Sequence, residues 1–174
     1  IPRWLSRNDD RIAINDDQSK FSDSSDYMLD KAVFRRIEEK FKVKHTVDRF
    51  ATHVNKQCEK FNSFANCPGS SGMNAWEQTD WGDPGVDNWL FPPFSEVAWA
   101  VRKLQAANGV GTLVCPLDTG AFWWPYVASH APGVVDRWSL PHRKGLLWQY
   151  GLEPMKSAPR QRFIAVRLDF TSTV

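Results

Sequence analysis

Two adjacent prolines, Pro92 and Pro93, close the short run Asp87-Asn88-Trp89-Leu90-Phe91, and the aromatic Phe94 follows them. No other stretch constrains the fold as much. Proline fixes φ and has no N–H to give to a strand ladder, so a strand over 86–91 has to stop there. Helical spacing begins directly afterwards. Val97, Val101 and Leu104 share one face, Ser95 stands as N-cap with Glu96 in the first turn, and Asn108-Gly109 supplies the stop. A strand that runs straight into a helix is half of a β-α-β unit.

The same alternation recurs on either side. Asp30 reads as an N-cap for a helix over 30–41, with Val33, Phe34, Ile37 and Phe41 as its apolar stripe and Arg35, Arg36, Glu38, Glu39 and Lys40 largely opposite. Residues 46–50 read as a strand with Asp48 near its C-terminal end. Residues 112–115 read as a short buried strand, 116–120 as a turn, 122–129 as an aromatic-rich helix and 134–140 as a further strand. Residues 162–170 give the strongest strand pattern, through Phe163, Ile164, Val166, Leu168 and Phe170. Residues 52–86 read as a long irregular excursion and 141–160 as loop. The expected class is α/β, a mostly parallel sheet with helices on both faces. In such sheets ligands bind outside the carboxyl ends of the strands. Asp48, the 91–94 loop and the 116–121 loop therefore belong on one rim.

Composition narrows the function classes. At 174 residues the chain is one domain's worth of core, and 22 basic against 20 acidic residues call for no nucleic-acid partner. No apolar run is long enough to span a bilayer, and no signal-peptide pattern opens the chain. Cys58, Cys67 and Cys115 are an odd number without framework spacing. They point to free thiols and an intracellular setting, nuclear or cytoplasmic. His53, Cys58 and Cys67 match no strong zinc spacing, and no metal is expected. Asp9-Asp10 and Asp16-Asp17 read either as a metal site or as a solvated connector over 1–29. Arg137, Arg143, Lys144, Lys156, Arg160 and Arg162 make the last third basic, either a track for a phosphate backbone or an ordinary solvated face. Phosphate-loop and nucleophile-elbow motifs do not occur.

The run Val47-Asp48-Arg49-Phe50-Ala51-Thr52 with Asn55 and Phe61 resembles the D-x-x-A-T-x-x-N opening of Dam-like adenine methyltransferases of phages. Asp80-Trp81, Trp89-Leu90-Phe91-Pro92-Pro93-Phe94, Leu113-Val114-Cys115-Pro116 and Phe122-Trp123-Trp124-Pro125 continue in the same order. The combination resembles the methyltransferase-like domain that follows reverse transcriptase and RNase H in DIRS-type, tyrosine-recombinase retrotransposons. Ile1-Pro2-Arg3, with Asn8 and Ala13, is similar to the tail of such an RNase H domain, and the missing initiator methionine fits a piece of a polyprotein. On this resemblance, 1–29 is a connector and 30–174 a Rossmann-like methyltransferase fold.

The resemblance implies S-adenosylmethionine as cofactor, with Asp48, Phe50, Ala51, Asn55 and Asp80 on the donor side. It implies a catalytic loop of Asn88, Pro92, Pro93 and Phe94. There, the first residue of an N-P-P-Y or D-P-P-Y motif accepts from the adenine amino group, and the aromatic stacks on the base. Phe91 holds that first position and has no acceptor; losing one preorganised polar contact costs roughly 2.7–4 kcal/mol in rate. No glycine follows Asp48 to let the backbone approach a donor, and Asp48 could equally cap the next turn or pair with Arg49. Met73-Asn74-Ala75-Trp76 stands where the family has a D-A-F-like run, so Asn74 keeps hydrogen bonding without charge. Phe91 and Phe94 read either as remnants of a base-stacking site or as core and rim aromatics. Three functions follow: a degenerate module binding nucleic acid or protein, an active adenine methyltransferase, or a structural spacer in a reverse transcriptase polyprotein.

Overall fold

The computed structural model describes residues 27–64, 67–149 and 152–171. Its centre is a seven-stranded sheet. In chain order the strands are β1 (Tyr27–Leu29), β2 (Val47–Asp48), β3 (Lys60–Ser63), β4 (Gly72–Met73), β5 (Asp87–Leu90), β6 (Val110–Pro116), β7 (Val134–Ser139), β8 (Leu147–Gln149), β9 (Glu153–Pro154) and β10 (Phe163–Asp169). The main sheet runs β4-β3-β2-β5-β6-β10-β7, and β1, β8 and β9 form a small separate sheet in the order β1-β8-β9. β2 pairs in parallel with β3 and β5, β3 with β4, and β5 with β6. β10 runs antiparallel to both β6 and β7. The class is therefore α/β with a mostly parallel mixed sheet. The expectation that 162–170 would join it as one more parallel strand is corrected, because β10 enters from the opposite end.

Among the described residues two α-helices cover the sheet, one on each face. On α1 (Lys31–Phe41), Val33, Phe34 and Ile37 are buried against Trp89, Phe91, Val114, Phe163 and Ala165. On α2 (Val97–Ala106), Val97, Val101 and Leu104 are buried against Leu90, Leu113, Cys115, Ile164, Val166 and Leu168. The two lists interleave along β5, β6 and β10, as the alternation of a strand requires. An isolated helix of ten or eleven residues is marginal in water. Each buried apolar side chain adds about 1.5–3 kcal/mol, so the packed stripes hold these helices.

The ends show how local chemistry sets the boundaries. Asp30 is the N-cap residue of α1 but makes no side-chain cap bond. Its carboxylate instead takes Arg143 Nη2 at 2.8 Å and Trp148 Nε1 at 3.2 Å, tying the helix start to the small sheet. Ser95 is not the cap of α2. It lies inside a 3-10 turn, Phe94–Glu96, which Pro93 opens by accepting the Glu96 N–H at 2.8 Å. Asn108, at φ 54°, and the Gly109 N–H donating to the Leu104 carbonyl at 3.0 Å close α2, as expected.

Several expectations need correction. The helix over 122–129 is only a 3-10 turn, Trp124–Tyr126. Pro125 and Pro132 bracket too few residues for a helix, and a residue before proline avoids the α region. The excursion at 52–86 contains β3 and β4, and the loop at 141–160 contains β8 and β9. Strands of two to four residues carry too little alternation to be read. The last three residues of the expected connector, Tyr27–Leu29, are a fully buried strand. Residues 1–26, with Asp9-Asp10, Asp16-Asp17 and the RNase H-like tail, lie outside the described residues. No helix among the described residues is long and apolar enough to cross a membrane.

Candidate functional site

From β2 the chain moves outward to β3 and β4, then crosses back to β5 and β6. The sheet therefore has its topological switch point between β2 and β5, where a ligand crevice opens in this kind of sheet. Asp48 ends β2 at this point, and Phe91 and Pro92 follow β5 beside it. The crevice is filled by the chain itself. Tyr27, Met28 and Leu29 of β1, with Asp48, Phe50, Asn55, Gln57, Trp89 and Phe91, line a partly open pocket of about 10 Å³, roughly the space of one water.

Asp48 is 2 % exposed, and its carboxylate is used locally: it accepts the Gln57 N–H at 2.9 Å and the Phe50 N–H at 3.3 Å. These contacts are those of a turn cap, and among the described residues no pairing with Arg49 occurs. Burial pushes its pKa up to about 7, against the opposing pull of those two N–H groups and of Lys31. Gln57 extends the seal, donating through Nε2 to the Leu29 carbonyl at 2.7 Å. Asn55 is buried and accepts from Thr52 N at 2.7 Å and Thr52 Oγ1 at 3.2 Å, while the Ala51 N–H donates to Asn62 O at 3.0 Å. Phe50 packs on Trp76, with ring centres 5.4 Å apart.

The residues expected to form a catalytic loop separate from one another. Phe91 is 5 % exposed and meets Phe163 edge-on at 6.2 Å. Pro92 and Pro93 are buried. Phe94 is half-buried between Trp123, at 6.4 Å, and Phe163, at 5.8 Å. Asn88 lies on the other face of the sheet. Its Nδ2 donates to the carbonyls of Trp81 at 2.9 Å and Val110 at 2.8 Å, and its Oδ1 accepts from Arg49 Nε at 2.7 Å. Asp80 sits on that face too, paired with Arg49 Nη1 at 2.9 Å. Asp48 and Phe91 thus meet at the crevice, whereas the candidates Asn88 and Asp80 belong to a different cluster behind it.

Arg49 is the centre of that second cluster. It is 1 % exposed, and besides Asn88 and Asp80 its Nη1 reaches Asn62 Oδ1 at 2.8 Å. The guanidinium lies 5.1 Å from the centre of the Trp81 ring. Burial lowers its pKa while Asp80 raises it. This arginine ties β2, β3 and β5 to the 75–81 segment. Asn74 and Trp76 support the same segment. Asn74, at φ 63°, accepts the Trp76 N–H through Oδ1 at 3.1 Å, and Trp76 Nε1 donates to the buried Glu96 at 3.0 Å.

Sequence reasoning missed a further polar network near the starts of β2 and β5. His45 Nδ1 lies 3.0 Å from Glu38 Oε2 and its Nε2 lies 2.7 Å from Thr112 Oγ1. Arg167 grips Asp87 with both Nη atoms at 2.8 and 2.7 Å and also donates to Thr112 at 3.1 Å. The order Glu38–His45–Thr112 has the geometry of a base and its hydroxyl. Thr112 is 0 % exposed, however, and no substrate reaches it. The network fixes the lower end of the sheet.

The cysteines divide in the same way. His53 Nδ1 lies 3.0 Å from Cys67 Sγ, but Cys58 is buried elsewhere, and no group of three or more His, Cys, Asp or Glu side chains able to hold a metal occurs among the described residues. In the basic last third, Lys144, Lys156, Arg160 and Arg162 are exposed, Arg143 is paired with Asp30, and Arg137 lies over Trp124 at 5.3 Å. No protein-family model matches this chain, and no curated protein is significantly similar to it.

Proposed function

We propose that this chain is a methyltransferase-like domain of retroelement origin that no longer transfers methyl groups and works as a binding module for nucleic acid or protein through its old substrate rim. One observation carries the loss of chemistry. At the switch point the carboxylate of Asp48 is spent on the Gln57 and Phe50 N–H groups, Phe91 fills the place of the amino acceptor, and about 10 Å³ remains. The fold supports the origin. Parallel strands fan out both ways from β2, and one antiparallel strand, β10, is wedged between β6 and β7, an arrangement in keeping with a Rossmann-like methyltransferase. The rim supports the binding role. Phe122 is 66 % exposed and Leu117 37 % exposed in the loop after β6. An intracellular setting, nuclear or cytoplasmic, within a larger reverse transcriptase polyprotein belongs to the same proposal.

Calorimetry with S-adenosylmethionine tests it. No binding heat is expected up to about 1 mM donor, a bound of about −4 kcal/mol on affinity, and no methyl transfer to an adenine-containing oligonucleotide. Micromolar binding lost on Asp48→Ala would overturn the loss of the donor site, and methyl transfer lost on mutating Pro92 or Asp48 would establish the active methyltransferase instead. A rim that binds neither oligonucleotide nor protein leaves the spacer as the function.

A further inference from the structure

We propose that His53 and Cys67 form a thiol–imidazole pair that makes Cys67 a modification site, entering a mixed disulfide with small, low-molecular-weight disulfides. The proposal is independent of the methyltransferase reading.

Two groups of one residue converge on the sulfur. The His53 backbone N–H donates to Cys67 Sγ at 3.3 Å, and the ring Nδ1 stands 3.0 Å from it. A thiol in that position has a donor that stabilises negative charge and an imidazole able to take its proton. Both partners are held by local turns. Thr52 Oγ1 accepts the N–H groups of Val54 at 3.2 Å and Asn55 at 3.3 Å, which fixes the backbone on either side of His53. The Ser70 N–H donates to the Cys67 carbonyl at 3.1 Å, which fixes the other loop. The pair bridges positions fourteen apart. The geometry is therefore set by the turns at 52–55 and 67–70 and does not depend on chance side-chain contact.

The other two thiols offer the contrast. Cys58 is 9 % exposed and Cys115 0 % exposed. Burial pushes both thiols up, Cys115 to about 12, which holds them as inert S–H groups. Cys67 is half-buried and its imidazole partner is exposed, so a small reagent reaches the sulfur.

The exchange balances without any further reactant. The Cys67 proton passes to His53 Nδ1, and the thiolate attacks one sulfur of the small disulfide. A Cys67–sulfur bond forms as the old sulfur–sulfur bond breaks. The departing thiolate takes the proton back from the imidazolium, leaving one mixed disulfide and one free thiol.

The test uses the native chain, oxidised glutathione and iodoacetamide, with mass-spectrometric mapping of the adducts. Cys67 is expected to carry the first adduct, and Cys58 and Cys115 to react only after unfolding in urea. His53→Gln keeps the backbone N–H and removes the ring. It should slow both reactions at pH 7 by about 10-fold, less than the 10²–10⁴ of a fully enclosed general base because the pair is open to water. The rate ratio should fall to about 1 above roughly pH 9.5, where any exposed thiol ionises unaided. A merely structural role for His53 would not give this collapse. Equal rates in wild type and His53→Gln at pH 7, a ratio unchanged with pH, no adduct at Cys67, or a first adduct at Cys58 or Cys115 would each overturn the proposal. Matching thermal melts of the two proteins ensure that the rates compare folded chains.

Discussion

Phe91→Asn introduces the polar residue that the proposed methyltransferase-like reading calls for at this position, and the structure predicts that it damages the protein before it can help it. Phe91 is 5 % exposed and packs among α1, Phe163 and Trp89. Truncating a buried phenylalanine costs about 3–5 kcal/mol. The new amide would sit beside a pocket of about 10 Å³, and each polar atom left unpaired there adds about 1–3 kcal/mol. One ordered water at that spot relieves part of this, so the sum lies near 4–5 kcal/mol, against a typical total stability of about 5–15 kcal/mol. Urea titration followed by the fluorescence of the nine tryptophans measures it directly. With a slope of about 2 kcal/mol per molar, the midpoint should fall by about 2 M at unchanged slope. Phe91→Leu, which keeps the apolar contact, should lose less than half of this. A Phe91→Asn midpoint within about 0.3 M of wild type refutes the argument, because the ring would then be filling space the fold does not need. Donor binding by the folded variant would refute it more sharply, by showing that the crevice opens once the ring is gone.

Two further substitutions probe the groups around the crevice. Arg49→Met keeps the volume but leaves Asn88 Oδ1 and Asn62 Oδ1 buried without their donor, so a loss of about 3–5 kcal/mol in urea is expected; a loss under about 1 kcal/mol would mean that water already serves these oxygens. Asp48 has a folded pKa raised to about 7, above its unfolded value, so its contribution is fully present below about pH 4 and is lost as pH rises towards 7. Stability measured against Asp48→Asn should therefore fall across that window, and a difference that is flat with pH would show that the carboxyl is ionised throughout.

How much of this was legible in the sequence depends on the length of each signal. The stripe Val33-Phe34-Ile37 and the Pro92-Pro93 break gave α1, β5 and α2 to within two residues at each end, because each rests on several positions or on a hard steric rule. β3, β4, β8 and β9 have two to four residues each, too few to separate alternation from chance. β1 was hidden for another reason. Tyr27-Met28-Leu29 follows a polar, Ser- and Asp-rich stretch, and only its long-range pairing with Leu147–Gln149 makes it a strand that seals the crevice. Gln57 carried no motif at all, and Glu96 was read only as part of a helix start. Their roles come from what lies opposite them in space.

One part of the site could have been decided from spacing alone. Strand side chains alternate between faces, so Asn88 and Phe91, three positions apart, point to opposite sides of the sheet. That alternation rules out Asn88 as a substitute for the acceptor that Phe91 lacks, however close the two stand in sequence. The structure gives the energetic half of the argument. On its own face Asn88 already satisfies two backbone carbonyls and one guanidinium N–H, and breaking those three bonds to reach a substrate would strand each partner in the interior. The same holds for Asp80, whose release would leave Arg49 as a buried charge with only amide oxygens for company. Phe91 seals the crevice on one face, and the Arg49 cluster holds Asn88 and Asp80 on the other. On the proposed methyltransferase-like reading, methyl transfer would therefore require changes on both faces of the sheet at once, and no single substitution at Phe91 achieves that.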